Sequence, residues 1–399
     1  MTERTALISG ASIAGPALAF WLRRYGLRPV VIERAAALRL GGQNVDVRGA
    51  GRTVARRMGI EDDIRAATTG EMGVRFVDAR GRARAEFPAG TSSSDGFTAE
   101  LEILRGDLAR ILHERTRDRT EYIFGDHITG LDEAGDRVTV SFAQGPPRDF
   151  DLVIAADGIR SSTRSLGFGD EPEIRELGLY IAYLTLPRAA SDDAWWRWYN
   201  APGGRSISLR PDNVGTTRAM LSFMFEPRGY ERLDPDGQRE VLRRVFGDAG
   251  WEAPRVLSAL DDAADLYFES IGQVRAPRWS RGRVALVGDA AYCASPISGM
   301  GTSLALTGAY VLAGELARHA DHREAFASYE RILRPYVARA QQLPPGTPRL
   351  AHPRTRLGVA AFHAGLRLAA RVQASGLGTR FLASPADPLE VPDYSAFER

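Results

Sequence analysis

Short apolar runs and helically spaced apolar residues alternate along this chain, and together they predict a mixed α/β architecture. Thr5 to Ser9 reads as a buried strand around Ala6-Leu7-Ile8, ended by Gly10. Ala14 to Tyr25 has helical spacing, with Leu18, Leu22 and Tyr25 on one face, and Gly26 stops it. Pro29 to Ile32 is a second strand, which completes a βαβ unit in about 30 residues. Gly41 to Gly51 reads as a glycine-rich loop, Thr53 to Met58 as a helix, and Val74 to Asp78 with Ala83 to Phe87 as a hairpin. A helix over Arg105 to Arg115 and strands over Arg137 to Phe142 and Asp151 to Ala155 follow.

The pattern then changes. Tyr180 to Leu186, Arg205 to Leu209 and Arg218 to Phe225 are strand-like runs punctuated by Pro, Gly and Asn, the signature of an antiparallel sheet set into the first domain. Asp234 to Phe246 is helical, with a shorter candidate at Leu257 to Leu260. Arg283 to Val287 returns to a buried parallel-type strand. Long helices over Met300 to Arg318 and Arg323 to Arg339 come next. Pro344, Pro345, Gly346 and Pro348 mark a linker, Gly358 to Ala374 is a last helix, and a tail with Pro385, Pro388 and Pro392 is expected on the surface.

A chain of 399 residues with 44% hydrophobic content is long enough for two or three domains. Net charge is only +2, from 52 basic and 50 acidic residues in no like-signed block, so charge points to neither nucleic acid nor a membrane surface. Every basic residue is arginine, which excludes Schiff-base and P-loop lysine chemistry. Cys293 is the lone cysteine, so no intrachain disulfide forms. No apolar run reaches membrane-spanning length, and the expected location is the cytoplasm. The six histidines, at 113, 127, 319, 322, 352 and 363, show no metal-like spacing, and no metal is expected.

Three separated segments carry candidate chemistry. Gly10-Ala11-Ser12-Ile13-Ala14-Gly15 joins a strand to a helix, where unpaired N–H groups and a positive dipole end suit a pyrophosphate. Ser12 replaces the middle glycine of G-x-G-x-x-G, and its hydroxyl is small enough to approach a phosphate. Glu33 ends the second strand, 23 positions past Gly10, where a carboxylate accepts from adenosine ribose hydroxyls and repels a 2′-phosphate. Asp157-Gly158 follows the strand Leu152 to Ala155, and capping of a helix over Ile159 to Arg164 would equally account for it. The third segment runs the strand Val284 to Val287 into Gly288-Asp289, then Pro296 and Gly299-Met300-Gly301-Thr302. There Asp289 suits the ribityl hydroxyls of a flavin, and the helix start suits the flavin N1–O2 edge.

Together these residues resemble the class A flavoprotein monooxygenases of the para-hydroxybenzoate hydroxylase fold. Gly10 to Gly15 with Glu33-Arg34 looks like the family's adenosine motif, Asp157-Gly158 its Asp-Gly motif, and Gly288-Asp289 with Pro296 its Gly-Asp motif. Arg105 resembles the family arginine that reaches the flavin. Gly41-Gly42-Gln43-Asn44-Val45-Asp46, with Gln43 and Asp46 as candidate contacts, resembles the loop past the flavin in tetracycline-inactivating members. Departures are Ser12, Tyr292 in place of a common histidine, and Ser303 in place of a common asparagine. The resemblance implies non-covalent FAD and NADPH or NADH as transient reductant. It implies hydroxylation of an aromatic or polyketide-like small molecule through a flavin C4a-hydroperoxide, with the flavin rather than a side chain carrying the chemistry. Epoxidation, Baeyer–Villiger insertion and non-catalytic sequestration of an aromatic compound are the alternatives, and the missing lysine counts against halogenation.

The expected domains are an FAD-binding domain of residues 1–73, 98–177 and 272–345, a substrate-binding β-sheet domain of 74–97 and 178–271, and a C-terminal helix and tail over 346–399. The substrate is expected between flavin and sheet. Met220, Ser222 and Met224 alternate with Leu221, Phe223 and Phe225, so one of these faces lines the pocket. Tyr183, Ser222, Phe223 and Pro296 are the candidate substrate residues. Trp195 to Tyr199 reads as a pocket rim or sheet edge. The protein is expected to act as a monomer or homodimer.

Overall fold

The computed structural model describes residues 3–39, 41–89, 101–226, 228–374 and 389–399. The predicted βαβ unit is present as β1 (Thr5–Ser9), α1 (Ala14–Arg24) and β2 (Arg28–Glu33). Then come β3 (Asn44–Asp46), α2 (Gly49–Met58), α3 (Glu61–Ala66) and the hairpin β4 (Gly73–Val77) and β5 (Ala83–Pro88). β6 (Glu102–Leu104) leads into α4 (Arg105–Thr116) and β7 (Glu121–Phe124). β8 (Ile128–Ala134), β9 (Arg137–Phe142) and β10 (Arg148–Phe150) form a small antiparallel sheet before β11 (Leu152–Ala155) and α5 (Ser162–Phe168). The middle of the chain supplies β12 (Glu173–Pro187), β13 (Trp196–Ala201), β14 (Arg205–Pro211), β15 (Thr216–Met224), α6 (Pro235–Phe246), α7 (Ala253–Ser258) and β16 (Tyr267–Arg275). The last stretch holds β17 (Ser280–Arg281), β18 (Val284–Leu286), α8 (Asp289–Tyr292), α9 (Gly301–Arg318), α10 (His322–Ala340) and α11 (Arg356–Ala374).

Two large sheets organise these elements. The first has the order β17-β18-β11-β1-β2-β7 and is parallel except for β17. Ala6, Leu7, Ile8 and Leu152 to Ala155 are almost fully buried, as a parallel sheet covered on both faces requires. The second has the order β16-β12-β15-β14-β13-β4-β5 and is antiparallel apart from β13 with β4.

One face of this second sheet packs under α6 and α7. Tyr180, Ala182, Leu221 and Phe223 form a buried cluster there with Leu242, Phe246 and Val256. The other face turns toward the first sheet, and Leu179, Ile181, Met224 and Ile271 meet Tyr183, Met220 and Ile297 on it. Phe223 is therefore core on the helix-covered side, a correction to its place among the substrate candidates. Alternation defined both faces; the two helices decide which is closed.

Several other expectations are corrected. The glycine-rich stretch 41–51 contains β3, and α2 already begins at Gly49. β12 starts at Glu173 and runs 15 residues, and β16 was not foreseen. Trp196 to Tyr199 form no sheet edge, because β13 lies between β14 and β4. The tail does not lie on the surface throughout: Tyr394 is fully buried, and its ring occupies the space that a Cβ on Gly314 of α9 would need, 2.1 Å away. Pro385 and Pro388 lie outside the described residues.

Candidate functional site

The three motif segments meet at one end of the first sheet. Gly10 leaves β1 with φ +109°, and a Cβ there would sit 2.5 Å from the Ala156 carbonyl oxygen. Gly15 lies so close to the Gly10 carbonyl that a Cβ would approach it to 1.9 Å. These contacts explain the two outer glycines. Gly288, at φ +64°, brings the third segment in, since its Cβ would lie 3.0 Å from that of Ala14 and 3.8 Å from that of Ala305. The starts of α1 and α9 therefore converge on one glycine.

Both helices begin without a side-chain cap and without an acidic residue in the first turn; Ile13 stands at the N-cap of α1 and Met300 at that of α9. Two long helices with uncapped N–H groups and positive dipole ends converge on one cleft. That arrangement fits an extended, pyrophosphate-bearing cofactor such as FAD.

Glu33 accepts from Ala11 N through Oε2 and from Ala35 N through Oε1, both at 2.9 Å, so backbone donors aim its carboxylate across the loop. Arg34 donates to Ser162 Oγ at 2.9 Å. Ser12 accepts from Arg105 Nη1 at 2.9 Å, and Arg105 Nη2 donates to the Gly41 carbonyl at 2.9 Å. The Arg105 amide donates to the Gln43 carbonyl at 3.0 Å. Desolvation lowers the Arg105 pKa, offset in part by Tyr267. Asp46 pairs with Arg48 at 2.7 Å and lies beside Gly299.

Asp157 shows its capping role. Its carboxylate accepts from the Ser161 hydroxyl and from Thr163 N, and Ser161 in turn caps α5. Gly158 follows at φ +87°. Asp289 is solvent-accessible, yet protein surrounds the cleft it lines, and this desolvation raises its carboxyl pKa. Pro296 opens a short turn (Pro296–Ser298) whose Ile297 touches the second sheet. Thr302 is buried in the first turn of α9, beside Gly301.

The two departures near α9 have structural uses. The Ser303 hydroxyl accepts from Arg48 N and donates to Arg48 O, tying α2 to α9. Tyr292 points into the core, where the Tyr329 hydroxyl donates to its own at 3.1 Å. Cys293 is buried with its thiol directed at the Gly272 carbonyl, and desolvation raises its pKa. Among the described residues, no three His, Cys, Asp or Glu side chains stand together as a metal site, and no helix is long and apolar enough to cross a membrane.

Of the substrate candidates, Tyr183 faces the cleft, opposite Met220 on β15 and Tyr267 on β16. Ser222 shares that face but is sealed: its Oγ lies 2.6 Å from Ser206 Oγ and 2.8 Å from His352 Nε2, while His352 Nδ1 lies 3.0 Å from the Pro348 carbonyl oxygen. The linker before α11 thus covers Ser222. Sequence reasoning missed Tyr267 and Glu269. The alternation Tyr267-Phe268-Glu269-Ser270-Ile271 was the available signal, a polar-facing strand next to the third motif.

Residues 3–343 match the family model for an FAD binding domain. A flavin-dependent monooxygenase from an unknown prokaryotic organism is 43% identical over 83% of this chain and 86% of its own length. Another, from Phoma sp, is 38% identical over 99% of this chain and 98% of its own. The crystal structure of tetracycline destructase Tet(55) aligns with a TM-score of 0.81 at 36% identity, covering 98% of this chain and 99% of that one.

Proposed function

This chain belongs to the FAD-binding family of flavin-dependent monooxygenases, and from that premise we propose that it hydroxylates an aromatic or polyketide-like small molecule at the expense of NADPH or NADH. When bound, FAD supplies the oxygen chemistry, activation of O2 at its C4a carbon. The protein's part is to bind, orient and exclude water. Uncapped first turns of α1 and α9 would hold the pyrophosphate and the flavin N1–O2 edge, Glu33 the adenosine ribose, and Asp289 the ribityl chain. Arg105, already fixed by Ser12 and Gly41, would hold its guanidinium over the cleft.

The observation that carries the substrate class is the open face of the second sheet. It presents aromatic Tyr183 and Tyr267 beside apolar Met220 and Ile297, over buried Ile181, a surface suited to a flat, partly hydroxylated ring system. Likeness to a tetracycline destructase supports the same class. For the reductant, the support is an open cavity of about 840 Å³ beside the Asp157-Gly158 turn, whose lining includes exposed Arg34 and Arg160 with His127 and Ser162. Such an arginine-rich hollow suits a phosphate-bearing nicotinamide dinucleotide.

The test is oxidation of NADPH and NADH by the FAD-loaded protein across a panel of phenols and aromatic polyketides, tetracycline included, under labelled oxygen gas. The expected result is ligand-stimulated consumption of one nucleotide with one labelled oxygen atom in the product. A protein that takes up no FAD, or oxidises neither nucleotide faster with any panel member, would sink the proposal. Insertion of the label into a ring as a lactone oxygen would instead favour Baeyer–Villiger chemistry.

A further inference from the structure

Strand β16 carries two side chains that the cofactor motifs do not use. Tyr267 and Glu269 stand two residues apart and so share one face of the strand. The Tyr267 hydroxyl donates to Glu269 Oε2 at 2.9 Å. Pairing with β12 sets Tyr183 opposite Tyr267 and Ile181 opposite Glu269, on the cleft-facing side. Tyr267 is 46% exposed, and Arg105 and Asp289 are among its charged neighbours. The charged and titratable groups facing this pair are Arg105 of α4, Asp289 of α8, Cys293 just after α8, Arg160 from the turn after β11, and Tyr183 of β12. Arg105 and Asp289 are both cofactor-site residues, so the pair stands where the sheet wall meets the cofactor cleft.

We propose that Tyr267 and Glu269 are the proton-handling pair of this cleft: Glu269 accepts, through the Tyr267 hydroxyl, the proton that a hydroxylated aromatic substrate gives up for oxygenation. The proposal rests on the hydroxylation reading above. In the step, the substrate O–H bond breaks and its proton bonds to the Tyr267 oxygen. The Tyr267 proton passes at once to Glu269 Oε2. A substrate oxyanion and a neutral carboxylic acid result, with no change in electron count. Return of the proton to product or water resets the pair. An oxyanion enriches its ring in electrons, which suits attack on an electrophilic oxygen.

The surroundings support this use. Desolvation pushes the Glu269 carboxyl up to about 7, with a further push from Asp289, while the Tyr267 hydrogen bond, Arg160 and Arg105 hold it down. A group poised there exchanges protons near neutral pH. Desolvation raises the Tyr267 hydroxyl further, so it stays protonated and relays rather than stores charge.

Two measurements on the FAD-loaded full chain test the proposal. The first needs no substrate: the flavin absorbance spectrum is followed from about pH 5 to 9, a span that brackets the Glu269 transition. Wild type should show a transition near neutrality, Glu269→Gln should lose it, and Tyr267→Phe should move its midpoint upward by removing the donor. A flat wild-type titration, or the same transition in Glu269→Gln, overturns the placement. The second uses a phenol turned over in the panel. Glu269→Gln should lower kcat ~100-fold, abolish the rise of kcat with pH and leave KM and FAD affinity unchanged. A wild-type pH profile in that variant overturns the relay. Tyr267→Phe keeps both measurements decisive should Glu269→Gln not fold. If wild type turns over no phenol, the hydroxylation reading fails, and the spectral titration still decides where the pair lies.

Discussion

Arg105 and Ser12 are joined by one hydrogen bond, Nη1 to Oγ at 2.9 Å, across the mouth of the first βα turn. The same guanidinium donates to the Gly41 carbonyl, so it links the phosphate-loop candidate to the loop expected beside the flavin. A Cβ on Gly42 would come within 2.7 Å of Arg105 Nε, so a larger residue there would displace the guanidinium.

Arg105→Ala should therefore weaken FAD binding more than it weakens the fold. Loss of charged hydrogen bonds worth about 1.5–3 kcal/mol corresponds to roughly 10- to 100-fold in affinity. Arg105→Lys should not restore it, because one ammonium lacks the planar fork that serves Ser12 and Gly41 together. Flavin fluorescence titration measures the first effect and thermal melting the second. A drop in melting temperature without a change in affinity would assign Arg105 to the scaffold.

Gly15→Ala should cost about 3 kcal/mol or more, the upper range for forcing atoms into a filled space, because its Cβ would meet the Gly10 carbonyl at 1.9 Å. Gly365→Ala is the control. It lies in α11 with nothing within 4 Å of the added carbon, and helix propensity predicts a gain of about 0.5–1 kcal/mol. Urea unfolding of the two variants beside wild type checks both signs.

Tyr394→Ala should cost about 3–5 kcal/mol, the range for truncating a buried aromatic. Its ring packs on Tyr25 and Tyr310, and its hydroxyl donates to fully buried Glu315 at 2.5 Å. Tyr394→Phe should cost less, since Glu315 keeps Arg318 and His319 within ion-pair distance. Neither change should alter FAD affinity, which separates the tail's role from the cofactor site.

Asp192 should make the second sheet sensitive to acid. Desolvation opposes its charge, but hydrogen bonds from Arg255, Ala189 N and Thr217, together with the Arg255 charge, outweigh it and hold the carboxyl well below the ordinary range. Arg197 also pairs with it. A depressed folded-state pKa means stability present above the unfolded value of about 3.9 and lost as pH falls toward the folded value. Asp192→Asn should destabilise by about 3–5 kcal/mol near neutrality, as for breaking a buried pair, and by progressively less below about pH 4. Unfolding curves for both proteins at several pH values show whether the gap closes.

The cofactor end of the fold was legible because its signals are local. Strand, glycine turn, helix and Glu33 lie within one βαβ unit, and sterics at Gly10 and Gly15 follow from that turn alone. The face of the second sheet proposed to meet substrate was harder to read, since it is decided by partners far away in sequence. Trp198 pairs with Phe76, and Ser222 is closed off by His352, 130 positions later. Period-two alternation separated Phe223 from Ser222 but could not show that α6 and α7 cover one side. Tyr267 and Glu269 matter only because β16 pairs with β12, a pairing with no local signature.

The order of strands in the first sheet has a consequence for synthesis. β1 and β2 emerge first, but β11 separates β1 from β18, and α1 packs against α9. A nascent chain therefore pairs β1 and β2 once β7 and β11 emerge, but β11 stays unpaired on one side and α1 stays without α9 until nearly three quarters of the sequence has left the ribosome. Folding of this cofactor compartment is a late, long-range event, vulnerable to aggregation in the interval, and a supply of flavin during expression would trap the compartment as it closes.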